Sequence, residues 1–200
     1  KVAKAFSGPV IIEFEEKIRS LCSDILDNTL PMIDFDATKH IARELPMRML
    51  GRILGLPEED LPWLVEKGDA LIANTDPDFT DHVLDKLDTN EFRLMPHNSP
   101  AGAELYEYAE TLMEKRLKTD NTNSILHMVM QPAVDGSKLS ETEFKNFFCQ
   151  LVAAGNDTTR YSIAAGIHAL CHQPELLKQM KNEPTVWETA PDEIVRWASP

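Results

Sequence analysis

The sequence predicts a mainly α-helical protein with few short strands, on three observations. Apolar residues recur at three- and four-residue spacing through most of the chain, Gly and Pro fall where helices would stop, and period-two strand signals are sparse. With 42% hydrophobic residues among 200, one sizeable core is the default, so residues 1–200 are read as a single domain. The chain opens on Lys1 within KVAKAF, which already has mid-helix character, so the true N-terminus is expected to lie upstream.

Taken in order, Val10, Ile11, Phe14, Ile18, Leu21, Ile25 and Leu26 set the first helix, and Pro9 suits its first turn. Residues 38–54 form a second helical pattern, in which Pro46 predicts a kink and Gly55-Leu56-Pro57 a stop. A third helix runs from Glu58 to about Ala73 and breaks at NTDPDFTD (74–81). The acidic stretch 76–100, with Pro77, Pro96 and Pro100, reads as a mobile connection with short helical pieces. Helices resume at 101–118 and 122–130, and Asp135-Gly136 marks a turn that a small hairpin could use. Ser140 followed by Glu143 is a capping-box signature that opens the longest helix, 140–172, about 48 Å long at 1.5 Å per residue. Gln173-Pro174 ends it and starts a short helix, and PDEIVRWASP (191–200) reads as a last helix beginning at Pro191.

A net charge of −13 argues against a nucleic-acid binder, which would carry a basic face. No apolar run reaches the length of a membrane span and no signal-peptide pattern opens the chain, so a cytoplasmic location is expected. Cys22, Cys149 and Cys171 are odd in number and lack CxxC spacing, which fits reduced thiols.

The informative feature is AGNDTTR (154–160), a run of poor helix formers inside the longest helical pattern. Phe144, Phe147, Phe148, Leu151 and Val152 form an apolar face before it, and Ile163, Ile167 and Leu170 continue one after it. A buried carboxylate there would need a partner, Thr hydroxyls can bond back to carbonyls one turn earlier, and Gly155 admits close approach to the backbone. Two readings stand side by side: a groove bearing an acid and an alcohol for proton transfer to a ligand, or a polar face meeting solvent. Asn156-Asp157-Thr158 is also a glycosylation sequon, treated as coincidence in a buried helix. His168 and His172 stand at i, i+4 beside Cys171, but no Glu completes a HExxH, and a metal role is ranked low. Phe79, Phe92, Tyr106 and Tyr108 could line a substrate entrance, although packing explains such aromatics more often.

AGNDTT (154–159) resembles the oxygen-groove motif (A/G)Gx(D/E)T(T/S) of the cytochrome P-450 haem-thiolate monooxygenases, of the bacterial soluble type. Glu193-Ile194-Val195-Arg196 resembles the ExxR helix of that family, HQPELL (172–177) its usual link, and LPMRMLGRILGLPEED (45–60) an upstream helix with its terminating loop. The resemblance implies the central part of the P-450 fold and haem b as cofactor. It implies Ala154 and Gly155 as an oxygen groove and Thr158 as a hydrogen-bonding group that helps deliver protons for O–O cleavage. Asp157 would relay protons from solvent and Thr159 would support the groove. Glu193 and Arg196 would form a buried ionic network with a structural role. Leu151, Ala153 and Ala154 are expected to line a pocket for an apolar substrate, a sterol side chain, branched lipid or terpenoid, with electrons from a ferredoxin or equivalent donor. The family's axial Cys sits in an FxxGxxxC loop after the ExxR helix; none of the three cysteines has those surroundings, so the chain is read as an internal segment of a longer enzyme that supplies no metal ligand of its own. The competing reading is a non-catalytic helical module that binds a small ligand at the polar stretch.

Overall fold

The amphipathic pattern before residue 30 folds as two helices, α1 (Gly8–Ile12) and α2 (Glu15–Thr29), in a computed structural model that describes residues 8–74, 76–78, 98–116, 125–132 and 136–200. The helix pauses where Phe14 N–H donates to Ile11 O at 3.0 Å, an i to i−3 turn, and Phe14 itself is buried. Residues 38–54 also divide, but not at Pro46. Thr38–Ala42 winds as a π-helical turn in which Arg43 N–H donates to Thr38 O at 2.9 Å, and α3 (Glu44–Leu54) follows. Pro46 falls in the first turn of α3, where a missing N–H costs little, so the irregularity lies upstream of the proline that was expected to cause it.

α3 ends as the sequence indicates. Gly55 takes the left-handed conformation (φ 72°), donating to Arg52 O at 3.0 Å, while Leu56 donates to Gly51 O at 2.8 Å. These are the two bonds of a Schellman motif, and only glycine adopts that φ without strain. A 3₁₀ turn, Glu58–Asp60, leads into α4 (Leu61–Ile72). Next come α5 (Pro100–Arg116), α6 (Ile125–Met130), α7 (Glu141–His172), α8 (Pro174–Asn182) and α9 (Val186–Ala198). α9 starts at Val186, so Pro191 lies inside it rather than at its head. The proline removes the hydrogen bond to the Trp187 carbonyl. The first turn is held instead by the Trp187 indole N–H, which donates to Met180 O at 2.7 Å. Most of the connection expected between 76 and 100, the stretch 117–124 and Asp135 lie outside the described residues; Gly136 has the positive φ (80°) of a turn. No strand occurs among the described residues.

α7 is the axis of the assembly, packing against α3, α4, α5, α8, α9 and the π-helical turn. Its buried Phe144, Phe148 and Val152 join Leu61, Leu64 and Val65 of α4, Leu105 and Ala109 of α5, and Met47, Leu50 and Leu54 of α3 in one core. Tyr108, an entrance candidate, stacks at 4.8 Å on Trp63 and 5.9 Å from Phe148 and donates to Asp60 Oδ2 at 2.7 Å, while Tyr106 donates to Asn146. Both tie α5 to its neighbours; Phe79 and Phe92 lie outside the described residues.

The start of α7 is fixed by the capping box read from the sequence. Ser140 Oγ accepts from Glu143 N–H at 3.3 Å, and Ser140 N–H donates to Glu143 Oε2 at 2.7 Å. Ser140→Ala is expected to remove about 1 kcal/mol of stability, lowering the melting temperature of the protein by about 2–4 °C; an unchanged melting curve would show that core packing alone sets the start of α7.

Candidate functional site

α7 runs unbroken through AGNDTTR, and the structure shows how it tolerates those residues. Thr158 Oγ1 donates to Ala154 O at 3.4 Å and Ser162 Oγ to Thr158 O at 2.9 Å, so both hydroxyls are satisfied within the helix, one turn back. At Gly155 the close approach is made by protein: a Cβ there would stand 3.0 Å from Leu50 Cδ2 of α3. The glycine therefore seats α7 against α3, whatever else its backbone faces.

The run divides by face. Ala154, Asp157, Thr158 and Thr159 are exposed, Gly155 is half-buried and Asn156 is fully buried. Ala153 belongs to the buried core. This separates it from Ala154, since consecutive residues lie about 100° apart on a helix. Of the expected pocket residues, Leu151 and Ala154 lie toward the open face of α7 and Ala153 toward its packed face. Thr159 points elsewhere again, to a cavity of about 380 Å³ between α7 and α9, lined also by Ser162, Ile163, Gly166, Pro191 and Ile194.

Beneath the run lies a charged cluster that sequence reasoning missed. Asp69 of α4, 3% exposed, accepts from Arg43 Nε at 2.5 Å and from Arg160 Nη1 at 2.6 Å. Asn156 Nδ2 donates to the same Oδ1 at 3.2 Å. A carboxylate only accepts, so the amide nitrogen must face it, which leaves Asn156 Oδ1 buried without a donor among the described residues. Gly68 gives the amide room, since a Cβ there would lie 3.1 Å from Asn156 Nδ2. Arg160 also reaches outward, with Nη2 2.8 Å from Oδ1 of the half-exposed Asp157. The signal was present: Asp69 stands in helical register with Leu61, Val65 and Ile72, an acid on an apolar stripe.

Glu193 and Arg196 pair through two parallel bonds of 2.7 Å, Nε to Oε2 and Nη2 to Oε1. The pairing is as expected; within this chain the two side chains are 61% and 71% exposed, on a face of α9 that no described element covers. Hydrogen bonding to Arg196 holds the Glu193 carboxyl below the usual range.

One face of α7 is left open by the described residues. Ala154 and Thr158 present a small apolar group and a hydroxyl on an open face of α7. They do not supply an axial thiolate to that face. Cys149 is 1% exposed in the core, with its thiol pushed up to about 12 by burial. Cys22 sits on α2, and Cys171 lies in the last turn of α7, about 20 Å along the axis from Thr158. No group of three or more His, Cys, Asp or Glu side chains is placed to hold a metal ion among the described residues; His168 and His172 stack at 4.1 Å without a third ligand. Nor is any described helix long and apolar enough to cross a membrane.

Thiol chemistry tests this placement. At pH 8 a water-soluble disulfide reagent should label exposed Cys171 rapidly and reach Cys149 only on unfolding; rapid native labelling of Cys149 would contradict its burial. Below the unfolded-state value of 9.0 the thiol is protonated in both states and has no pH effect. Between 9.0 and about 12 only the unfolded chain ionises, so stability falls as pH rises through that window.

No protein-family profile matches the chain. Among curated proteins it is 31% identical over 199 residues to a steroid C26-monooxygenase of Mycolicibacterium smegmatis, covering all of this chain and 43% of that protein. It is 32% identical over 209 residues to putative cytochrome P450 126 of Mycobacterium tuberculosis, covering 46% of it, and 30% identical over 204 residues to a methyl-branched lipid omega-hydroxylase of Mycobacterium bovis, covering 44%. The chain therefore spans a little under half the length of these relatives. Among solved structures, Mycobacterium marinum cytochrome P450 CYP268A2 in complex with pseudoionone superposes with a TM-score of 0.83 at 27% identity, over 98% of this chain and 45% of that one. A Bacillus subtilis cytochrome P450, PksS, gives 0.77 at 25% identity over all of this chain and 47% of that one.

Proposed function

Because this chain belongs to the cytochrome P450 family, we propose that it is the central segment of a haem-dependent monooxygenase that hydroxylates an apolar substrate with O₂ and two electrons from a ferredoxin or equivalent donor. The observation that carries the proposal is the open face of α7, where Ala154 and Thr158 stand together and an exposed acid, Asp157, adjoins them on a helix held rigidly by the core. The relatives named for steroid and methyl-branched lipid oxidation support a lipophilic substrate, a sterol side chain, branched lipid or terpenoid.

When bound, the haem would supply oxygen activation and electron transfer. This chain's residues would supply a wall and a proton path. Ala154 would leave room for a flat group, and Leu151, half-buried one turn earlier, would contribute apolar surface beside it. The bond from Thr158 to Ala154 O is long at 3.4 Å, so turning the hydroxyl toward a ligand gives up little. A hydroxyl both accepts and donates, which lets Thr158 take a proton and pass one on. Asp157 has 54% of its side chain open to water, and it stands about 100° round the helix from Thr158. Its carboxyl would exchange protons with solvent and hand them to Thr158 through water rather than by direct contact.

In the full-length enzyme, Thr158→Ala is expected to waste electrons: product formed per reduced cofactor should fall severalfold while substrate binding is kept. Unchanged coupling would remove Thr158 from the proton path. Asp157→Asn should slow turnover and alter the solvent isotope effect. The ferrous carbonyl spectrum of the full-length protein tests the class itself, since thiolate ligation gives a strongly red-shifted Soret band; lack of that band would favour a non-catalytic ligand-binding module.

A further inference from the structure

We propose that Asp69 and Arg160 are positioning residues for the proton path: the buried carboxylate of α4 fixes the Arg160 guanidinium, which in turn aims the Asp157 carboxylate. The inference rests on the reading of Asp157 as a relay and adds what holds that relay in place.

The argument turns on what each contact can hold. An exposed i, i+3 pair such as Asp157–Arg160 is too weak to order two flexible side chains by itself. Arg160, however, is 22% exposed, and its other end is anchored on a carboxylate 3% exposed. There Nη1 lies 2.6 Å from Asp69 Oδ1, in buried surroundings where a charged hydrogen bond is strong. The guanidinium is planar, so fixing Nη1 also fixes the direction of Nη2, which meets Asp157 Oδ1 at 2.8 Å. Arg43 holds the opposite oxygen of Asp69 at 2.5 Å, so the anchor cannot turn to follow Arg160. Asn156, one turn before Arg160 on the same side of α7, donates to the oxygen that Arg160 uses, locking the helix in rotation at that turn. Asp157 is thereby referenced to α4 and to the π-helical turn, two elements outside its own helix. A lysine at 160 would keep the charge but could not bridge two carboxylates in fixed directions.

The test uses the full-length, haem-loaded protein and two readouts. In unfolding by denaturant, a double-mutant cycle of Asp69→Asn with Asp157→Asn should show a coupling of about threefold or more in the unfolding constant, and Arg160→Lys should abolish it. In turnover, Arg160→Lys should retain the folded state and substrate affinity, yet shift product per electron and the solvent isotope effect in the same direction as Asp157→Asn. A purely structural Arg160 would lower stability and leave the isotope effect at its parent value. If Asp157→Asn changes both kinetic readouts while Arg160→Lys changes neither, the relay stands and the positioning proposal is overturned. If Asp157→Asn is itself silent, the relay reading fails and the proposal falls with it, even where the unfolding cycle shows coupling. Should Asp69→Asn not fold, Arg160→Lys alone decides the matter through the kinetic readouts.

Discussion

A carboxylate can be kept inside a helical core only if cations and hydrogen-bond donors follow it there, and Asp69 imposes that condition on the surrounding structure. Its two oxygens divide the work: Oδ2 takes Arg43 from the turn before α3, and Oδ1 takes Arg160 and Asn156 from α7. Three segments distant in sequence meet at one side chain of α4. Their packing agrees with this demand. Gly68 leaves space for the Asn156 amide, Gly155 brings α7 onto Leu50 of α3, and apolar side chains seal the cluster's inner side. Removing Asp69 would leave Arg43 and Arg160 facing each other without their shared acceptor, so the cluster favours one arrangement of α3, α4 and α7 over near alternatives.

The same geometry explains how a single helix serves as both core and site. Val152, Ala153 and Asn156 face inward, while Ala154, Asp157 and Thr158 face out. Several residues of AGNDTTR find a specific partner that offsets their poor fit or their charge. Thr158 bonds back to Ala154, Asn156 and Arg160 serve Asp69, and Gly155 meets Leu50. The outward face is left with small and polar groups on a rigid support, which is the physical requirement for holding a reacting ligand in a fixed pose.

Much of this was legible in the sequence because it depends on local rules. Helix starts and stops with strong chemistry, Ser140 with Glu143, Gly55 before Pro57 and Pro174, fell where expected. The errors were also physical. Pro46 was read as a kink and Pro191 as a helix start, yet one occupies a first turn and the other is tolerated inside a helix whose start the Trp187 indole secures. Adjacency in sequence does not report the face of a helix: Ala153 lies on the packed side of α7 and Ala154 on the open one. Asp69 escaped notice because its partners are 26 and 91 residues away, a separation that no local pattern encodes. The pairing of Glu193 with Arg196 was legible from their i, i+3 spacing.

The π-helical turn at Thr38–Ala42 acquires a meaning from this cluster. A π turn carries one more residue than an α-helical path would need, and that surplus residue rotates everything after it by about 100° relative to what precedes it. Arg43, which closes the turn, leaves it on the side that meets Asp69. The segment is therefore sensitive to length more than to composition. Exchanges that keep the count, away from the fully buried Ala42, would leave Arg43 aimed at the acid, whereas deletion of a single residue would relax the turn to α geometry and change the register in which Arg43 leaves it. Chain length in one short turn thus acts as a register key for a charge buried in another helix.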